Sequence, residues 1–221
     1  MTPSEPASAV TPGAQKAFRA PLAILLFLGA LGAGLVGDLL SKHYVFRDLL
    51  ADPVAKQKAI ENYLIYKAQG RTLETRDMLT CFSTRRVLGM GFKLQTNKGV
   101  VFGTELHPSQ GVHRLIVACV SVVLVGMVLA FFVTSDARAW SVHLALGAVL
   151  AGALGNLYDR LWGRVEIPPL APAEFQVRDF IDCSALGYPW VFNVADILLV
   201  VGVGVLLLNW VLASRQLKHA A

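Results

Sequence analysis

Long apolar runs separated by polar loops dominate this chain. The apolar runs cover residues 21–40, 112–133, 140–158 and 192–213. Each is about as long as the roughly 20 residues that a helix needs to cross the hydrocarbon core of a bilayer. The second and third runs are joined by residues 134–139 alone, which predicts a tight antiparallel hairpin. The pattern predicts a mainly α, polytopic membrane protein with four transmembrane helices, and glycines in the first helix are expected to let another helix approach closely.

The two long polar loops carry weaker structural signals. In the first loop, residues 43–111, the segment 53–69 is rich in helix formers and is followed by Gly70, which predicts a short surface helix. Residues 86–102 alternate loosely, with β-branched and aromatic side chains around glycines, and predict short strands. The second loop, residues 161–191, contains four prolines that exclude a continuous helix. A small extracytoplasmic region containing β-structure is therefore expected.

The domain organisation follows from the same pattern. Residues 1–20 are rich in Pro, Ala, Ser and Thr and predict a disordered cytoplasmic tail. Residues 21–213 form a single membrane-embedded domain, and residues 214–221 form a second cytoplasmic tail.

Composition and charge support a membrane protein. The chain is 55% hydrophobic and 16% charged, whereas soluble domains carry about 25% charged residues. The net charge of +5 resides in loops and tails, so it indicates contact with anionic lipid headgroups rather than with nucleic acid. The positive-inside rule for short loops places Arg138 and both termini in the cytoplasm; the long first loop exceeds the length for which that rule holds.

With four spans, the ends of the first and third helices and the start of the fourth lie on one membrane face, which is then the extracytoplasmic one. Carboxylate and amide side chains are concentrated at these ends and in the loops on that face: Asp38, Asn97, Asn156, Asp159, Asp179, Asn193 and Asp196. Ionisable groups near hydrocarbon are costly, so their convergence indicates a functional site.

Structural explanations exist for each residue alone. Asp159 and Arg160 are compatible with an interfacial pair at a helix end, Asn193 and Asp196 with a helix cap, and Asp179 and Asp182 with loop acids. Taken together they favour catalysis. Two adjacent carboxyl groups cannot both ionise easily, so one activates water while the other, protonated, polarises a carbonyl. The scattered histidines lack metal-ligand spacing, and no metal or other cofactor is expected.

Five short motifs, in this order, resemble lipoprotein signal peptidase, also called signal peptidase II, an aspartyl peptidase family (A8). They begin at Asp38 (DLLSK), Asn97 (NKGVVF), Gly155 (GNLYDR), Val177 (VRDF) and Phe192 (FNVAD). The resemblance implies an intramembrane aspartic endopeptidase that removes the signal peptide from diacylglyceryl-modified prolipoproteins, just before the lipidated cysteine. It further implies the bacterial inner membrane, membrane lipid as a partner, inhibition by globomycin and a monomeric enzyme.

The resemblance also implies roles for individual residues. Asp179 and Asp196 would be the catalytic pair. The expected substrate-binding or supporting residues are Asp38, Lys42, Asn97, Gly99, Asn156, Asp159, Arg160, Asn193 and Ala195. Departures from the family pattern are an insertion around residues 165–174 and a first loop that is longer than usual over residues 43–95. The insertion leaves Asp159 and Asp182 as alternatives to Asp179.

Two questions stay open at the level of sequence. Cys81 and Cys183 fall in loops on the same side, and their spacing neither requires nor excludes a disulfide. A non-enzymatic membrane protein that binds ions or protons through its Asp and Asn residues is the alternative function. Such proteins more often place the site at mid-membrane and contain repeats, whereas this chain has neither feature.

Overall fold

The computed structural model describes residues 15–71, 73–84, 86–98 and 110–220. Its helices, in chain order, are α1 (Pro21–Leu50), α2 (Pro53–Ala68), α3 (Thr75–Met78), α4 (Gln110–Thr134), α5 (Trp140–Trp162) and α6 (Val194–Ala220). Within the described ranges, four of them are long and apolar enough to cross a membrane: α1, α4, α5 and α6. The mainly helical, four-span fold predicted from the sequence is confirmed.

The helix predicted in the first loop is also present, as α2. The side chain of Asp52 caps its first turn by accepting hydrogen bonds from the backbone N–H groups of Val54 (2.9 Å) and Ala55 (3.3 Å). Its end is followed by Gly70, whose φ of 73° suits a residue without a side chain.

Helix α1 is longer than its apolar run and extends from the predicted end at residue 40 to Leu50. The added turns are held by packing, because Phe46 is buried in a core formed with the polar loops. Hydropathy does not reveal this extension, because residues 41–50 (SKHYVFRDLL) mix charged and polar residues with the apolar ones.

Helix α5 lies between α1 and α6 and packs closely against both. A Cβ atom on Gly34 of α1 would lie 2.8 Å from the Cβ of Ala151, so this glycine permits the approach of α1 to α5. The other three glycines of α1, Gly29, Gly32 and Gly37, have nothing within 4 Å of that position. The prediction of close approach therefore holds for Gly34 and is wrong for these three.

The loops contribute a small antiparallel sheet in which β1 (Gly91–Asn97), β4 (Val177–Asp182) and β5 (Val191–Phe192) are neighbours in that order. A second, two-stranded sheet pairs β2 (Arg164–Val165) with β3 (Ala173–Glu174). The predicted strand region, residues 86–102, contributes β1; residues 87–90 form a tight turn instead, and residues 99–102 lie outside the described ranges.

Both departures from the family pattern fold onto one hydrophobic core. It combines Phe46 of α1 with Met78, Leu79 and Phe82 of the first loop and with Ile167 of the second. The loops are also joined through the backbone, because Thr75 N–H donates to the carbonyl of Ala171 at 2.9 Å. The long first loop and the 165–174 insertion are therefore parts of one extramembrane layer.

The tails differ from their predicted bounds. Residues 1–14 of the N-terminal tail lie outside the described ranges, whereas Ala17–Arg19 form a 3₁₀ turn. Ala17 N–H donates to Ser135 O at 3.0 Å and Lys16 Nζ to Thr134 O at 3.0 Å. The end of the tail is thus bound to the α4–α5 turn, and at the other terminus α6 continues past residue 213 to Ala220.

Candidate active site

A fully buried lysine lies where α1 and α5 meet. Lys42 Nζ is 2.8 Å from Asp38 Oδ2 and 3.1 Å from Asp159 Oδ2, and all three side chains have no exposed surface. Lys42 also donates to Asn156 Oδ1 at 3.1 Å. Burying charges is costly unless each is paired and hydrogen-bonded, and here one ammonium group contacts two carboxylates from different helices. The cluster therefore requires α1 and α5 to be in register.

The two carboxylates held by Lys42 each bind backbone next to a candidate catalytic aspartate. Asp159 accepts a hydrogen bond from the N–H of Arg178 at 3.0 Å, and Arg178 immediately precedes Asp179. Asp38 accepts one from the N–H of Ala195 at 2.8 Å, and Ala195 immediately precedes Asp196. Lys42 thereby connects Asp159, which supports β4, with Asp38, which supports the first turn of α6.

Arg178 supplies the second cation of this network. Its Nε and Nη2 atoms donate to Asp159 Oδ1 at 2.9 and 2.7 Å. Two cations therefore balance the two buried carboxylates of Asp38 and Asp159. Planar, two-pronged contacts of this kind fix orientation as well as charge, so they hold β4 against the end of α5.

Two asparagines connect Asp179 with Asp196. Asn193 Nδ2 donates to Asp179 Oδ1 at 2.6 Å, and Asn156 Nδ2 donates to Asp196 Oδ1 at 2.8 Å. Asn193 Nδ2 also lies 3.2 Å from Asn156 Oδ1. Both carboxyl groups are therefore oriented by side-chain amides that contact each other.

The start of α6 has the cap that its sequence predicts. Asn193 Oδ1 accepts from the N–H of Asp196 at 3.0 Å, and Asp196 Oδ2 accepts from the N–H of Asn193 at 3.2 Å. This reciprocal pair satisfies backbone donors at the helix terminus. The capping and catalytic interpretations of these residues are compatible, because Asp196 is both a cap and a wall of the cavity described next.

Asp179 and Asp196 line one cavity of about 700 Å³. Asn97, Asn156 and Arg160 line the same cavity, so the space is bounded by both carboxyl groups and by several hydrogen-bonding side chains. On the membrane side its lining is mostly apolar, with Ser121 the polar residue among Val117, Val120 and Leu124 of α4 and Leu199 and Val200 of α6.

The environment of Asp179 favours its protonated form. The side chain is 3% exposed, and burial together with the nearby charge of Asp196 raises the pKa of Asp179 to about 8. Hydrogen bonding from Asn193 and the charges of Lys42 and Arg160 act in the opposite direction but are outweighed. One acid of the pair therefore retains a proton at neutral pH.

A family model described as signal peptidase (SPase) II matches residues 30–212. The chain belongs to this family. This four-span membrane protein is therefore a peptidase of the signal peptidase II family. The resemblance inferred from the five motifs is confirmed.

Individual relatives agree with the family match. A lipoprotein signal peptidase of Desulfitobacterium hafniense is 36% identical over 121 residues, which cover 54% of this chain and 68% of that protein. One from Aquifex aeolicus is 33% identical over 131 residues, covering 58% and 70% respectively. A solved bacterial membrane enzyme with 18% identity has the same fold, with a TM-score of 0.57 over 92% of this chain and 94% of the other.

In this signal peptidase II, the alternatives to Asp179 lie outside the cavity lining. Asp159 is fully buried between Lys42 and Arg178. Asp182 pairs with Arg86 at 2.7 Å; although desolvation opposes the change, hydrogen bonds from Arg86 and Ser184 lower the pKa of Asp182 to about 2. Both acids are therefore bound to basic side chains away from the cavity.

The remaining predicted site residues divide into three groups. Arg160 lines the cavity, and its Nη1 donates to Asn156 O at 3.2 Å. Ala195 contributes its backbone N–H, since it is buried and bound to Asp38. Gly99 lies outside the described residues. Cys81 and Cys183, whose pairing the sequence left open, are free thiols.

Sequence reasoning assigned no role to Arg178 or Gly155, although both belong to the quoted motifs. Arg178 is one residue from Asp179, and an arginine beside an acid signals no specific partner by itself. A glycine in the last turns of an otherwise continuous helix is a stronger signal, because it often marks close approach of another group.

We expect Gly155→Ala to reduce both stability and activity sharply. A Cβ atom there would collide with Asp38 Oδ2 and lie 3.1 Å from Asp38 Cγ, so the carboxylate would have to leave Lys42 or Ala195. Thermal unfolding in detergent and turnover of the same sample would measure both effects.

Gly204→Ala, on α6 with nothing within 4 Å, is the matched control and is expected to behave like the wild type. Equal stability and turnover of the two alanine variants would contradict the role of Gly155.

Proposed function

We propose that this signal peptidase II is an aspartic endopeptidase in which Asp179 and Asp196 activate water against the peptide bond that precedes the diacylglyceryl-modified cysteine of a prolipoprotein. The observation that carries the proposal is the placement of both carboxyl groups on one cavity, joined by Asn193 and Asn156. With two carboxyl groups on one cavity, one can act as the general acid and the other as the general base. Peptide hydrolysis without a nucleophilic side chain requires both.

The two acids take different roles because their surroundings differ. Asp179 is buried on β4 and retains its proton, so it is the acid that hydrogen-bonds to the scissile carbonyl oxygen. Asp196 lies in the first turn of α6, where the positive end of the helix dipole favours negative charge. We assign the negative charge of the pair to Asp196, which makes it the base.

In the first step, Asp196 accepts a proton from water while the water oxygen bonds to the carbonyl carbon. Asp179 gives its proton to the carbonyl oxygen, which forms a neutral tetrahedral diol. In the second step, the C–N bond breaks, the proton held by Asp196 passes to the amide nitrogen of the lipidated cysteine, and one diol hydroxyl returns a proton to Asp179. Both acids end in their starting states, so no further reactant is needed.

The shape of the cavity suits a substrate with lipid attached. The apolar wall formed by α4 and α6 offers a surface for acyl chains and for the apolar signal segment, while Asn97, Asn156 and Arg160 offer hydrogen bonds to the peptide near the cleavage point. Globomycin would inhibit by occupying the same space between the two aspartates.

The membrane setting is proposed from charge and connectivity. Short-loop Arg138 and both termini lie in the cytoplasm under the positive-inside rule, so the aspartates face the outer side of the bacterial inner membrane. Lipoprotein precursors remain anchored there by their signal segment and acyl chains. A monomer suffices, because both acids and their supports belong to one chain.

A gel-shift cleavage assay in detergent tests the function. A diacylglyceryl-modified prolipoprotein and its unlipidated form are each incubated with the enzyme, with and without globomycin. Cleavage of the lipidated form alone, blocked by globomycin, is the expected result. Cleavage of both forms at equal rates, or of neither by a folded sample, would overturn the proposal.

The pH dependence of turnover provides a separate prediction. The pKa of Asp179 is raised to about 8, so the protonated acid is present below that pH and is lost as the pH rises through it. We therefore expect kcat/KM to fall about tenfold for each unit above roughly pH 8, because kcat/KM follows the ionisation of the free enzyme. Measurements of kcat/KM from pH 6 to 10, with unfolding monitored in parallel, check this. A constant kcat/KM up to pH 10 would exclude Asp179 as the acid.

A further inference from the structure

The cavity has a cationic side formed by Arg76, Lys98 and Arg160. Arg76 and Lys98 come from the extramembrane layer, whereas Arg160 lies beside the aspartates at the end of α5. The acids that contact the outer two cations are Glu74 and Asp77, and neither is among the residues lining the cavity. On this side, cationic side chains therefore line the cavity, whereas the two acids that contact them, Glu74 and Asp77, do not.

Arg76 projects from a backbone that is held in place. Its neighbour Thr75 is fully buried and donates its N–H to Ala171 O at 2.9 Å. The short helix α3 has a capping box, in which Glu74 N–H donates to Asp77 Oδ2 at 2.7 Å. The cation is therefore presented by a braced turn of the long first loop, tied to the second loop.

The guanidinium group of Arg76 is placed to meet a ligand. Its contacts with Glu74 and Asp77 run through Nε at 3.5 and 3.7 Å, and the side chain is 41% exposed. Lys98 Nζ lies 3.3 Å from the same Glu74 carboxylate, so Glu74 contacts both cations, while Asp77 contacts Arg76. A carboxylate entering the cavity from the loop side would meet Arg76 and Lys98 first, because Glu74 and Asp77 do not line the cavity.

The direction in which the substrate crosses the cavity determines which part of it lies against the cationic side. The signal segment and acyl chains are apolar and belong with Val117, Val120 and Leu199 on the membrane side. The mature segment that follows the lipidated cysteine is the part that leaves the bilayer, so it passes the loop side. Under the proposed function, the mature segment is therefore the part of the substrate that is expected to run beside Arg76.

We propose that Arg76, together with Lys98, binds the carboxylate of an acidic residue in the first few positions after the lipidated cysteine, and so selects among prolipoprotein substrates. This inference rests on the proposed function and adds a determinant of substrate preference to it. Because Arg76 is partly exposed, its effect is modest and sensitive to salt. It acts on substrate binding and leaves the reacting atoms untouched.

The test compares three lipidated substrates that differ only in having Asp, Asn or Lys at one of the first three positions after the cysteine. For the wild type at low salt, we expect the KM of the Asp substrate to be about three- to tenfold below that of the Asn substrate, and the Lys substrate to have the highest KM. Arg76→Gln is expected to bring the three KM values together with kcat unchanged. Arg76→Lys retains the order of preference.

Arg71→Gln is the matched control, because Arg71 belongs to the same loop, stacks on Tyr66 and does not line the cavity. It removes the same charge from the protein and is expected to keep the wild-type preference. Equal KM values for the wild type, or the same loss in Arg71→Gln as in Arg76→Gln, would overturn the inference. Cleavage of the Asn substrate by every variant separates such a result from a failure of the proposed function.

The anionic headgroup of a phospholipid could bind Arg76 in place of the substrate carboxylate. One arm of the experiment distinguishes these two ligands. The assay is run in zwitterionic detergent with and without added anionic phospholipid. If Arg76→Gln slows all three substrates equally, and only when the anionic lipid is present, Arg76 binds a headgroup and the inference is overturned.

Discussion

Asp179→Asn is expected to abolish cleavage, lowering kcat by at least about a thousandfold, in a protein that remains folded. An asparagine keeps an oxygen that can accept from Asn193 but has no proton to give to the scissile carbonyl. Asp196→Asn is expected to be equally inactive, since an amide cannot take a proton from water. The gel-shift assay with lipidated substrate measures both variants.

The stability of Asp179→Asn has a definite sign. The carboxyl group has its pKa raised to about 8 in the folded protein, against about 4 in an unfolded chain. The folded state therefore binds the proton more tightly, and this acid lowers stability progressively as the pH rises from about 4 to 8. At pH 8, Asp179→Asn should therefore have a melting temperature equal to or above that of the wild type. At pH 5 the difference between the two proteins should be smaller.

Asp182→Asn is the matched control on the same strand. Asp182 is buried like Asp179 but binds Arg86 and lies outside the cavity lining. We expect turnover within a few-fold of the wild type and a lower melting temperature. Normal turnover by Asp179→Asn, or loss of turnover in Asp182→Asn at temperatures where it is folded, would reverse the assignment of the catalytic acid.

Lys42→Met is expected to produce the largest loss of stability. It removes the ammonium group from between Asp38 and Asp159, which are both fully buried. Breaking a buried ion pair by deleting one partner costs about 3–5 kcal/mol, because the other charge is left uncompensated. Turnover should fall as well, since the two carboxylates position the backbone before Asp179 and Asp196. Thermal unfolding and kcat in the same detergent measure the two effects.

A combined variant separates charge from packing. Adding Asp38→Asn to Lys42→Met removes one of the two stranded carboxylates, and we expect part of the lost melting temperature to return while turnover stays low. Lys58→Met, on the exposed face of α2, is the control and should match the wild type. A Lys42→Met protein with unchanged stability and turnover would exclude the proposed support role of the cluster.

Much of the fold was predictable because its signals are local. The spans follow from apolar length, and α2 follows from a run of helix formers that ends before Gly70. The contact of Asp38 with Lys42 lies within one helix at a spacing of four residues, and the cap of Asn193 with Asp196 lies at a spacing of three. Helical periodicity alone brings such residues together.

That Asp179 lines the cavity, and Asp159 and Asp182 do not, became visible only in the tertiary structure. The 165–174 segment forms β2, β3 and their connection, and returns the chain so that β4 runs beside β1 with Asp179 opposite Gln95. From the spacing of the motifs, these residues were identified as an insertion, but its path could not be predicted. Their apolar side chains, including Ile167 and Leu170, pack with the first loop, and such packing across loops leaves no periodic signal.

The sequence by itself determined that the chain crosses a membrane four times and that its carboxylates and amides gather at one face, because transfer of apolar length into lipid depends on each segment alone. Only the tertiary structure decided which acids face the cavity and which are supports. Asp38 reaches the N–H of Ala195, 157 positions along the chain, and Asp159 reaches that of Arg178. Every residue except proline has the same backbone N–H, so the sequence does not indicate which one a buried carboxylate will bind. The packing of α1, α5 and α6 selects it.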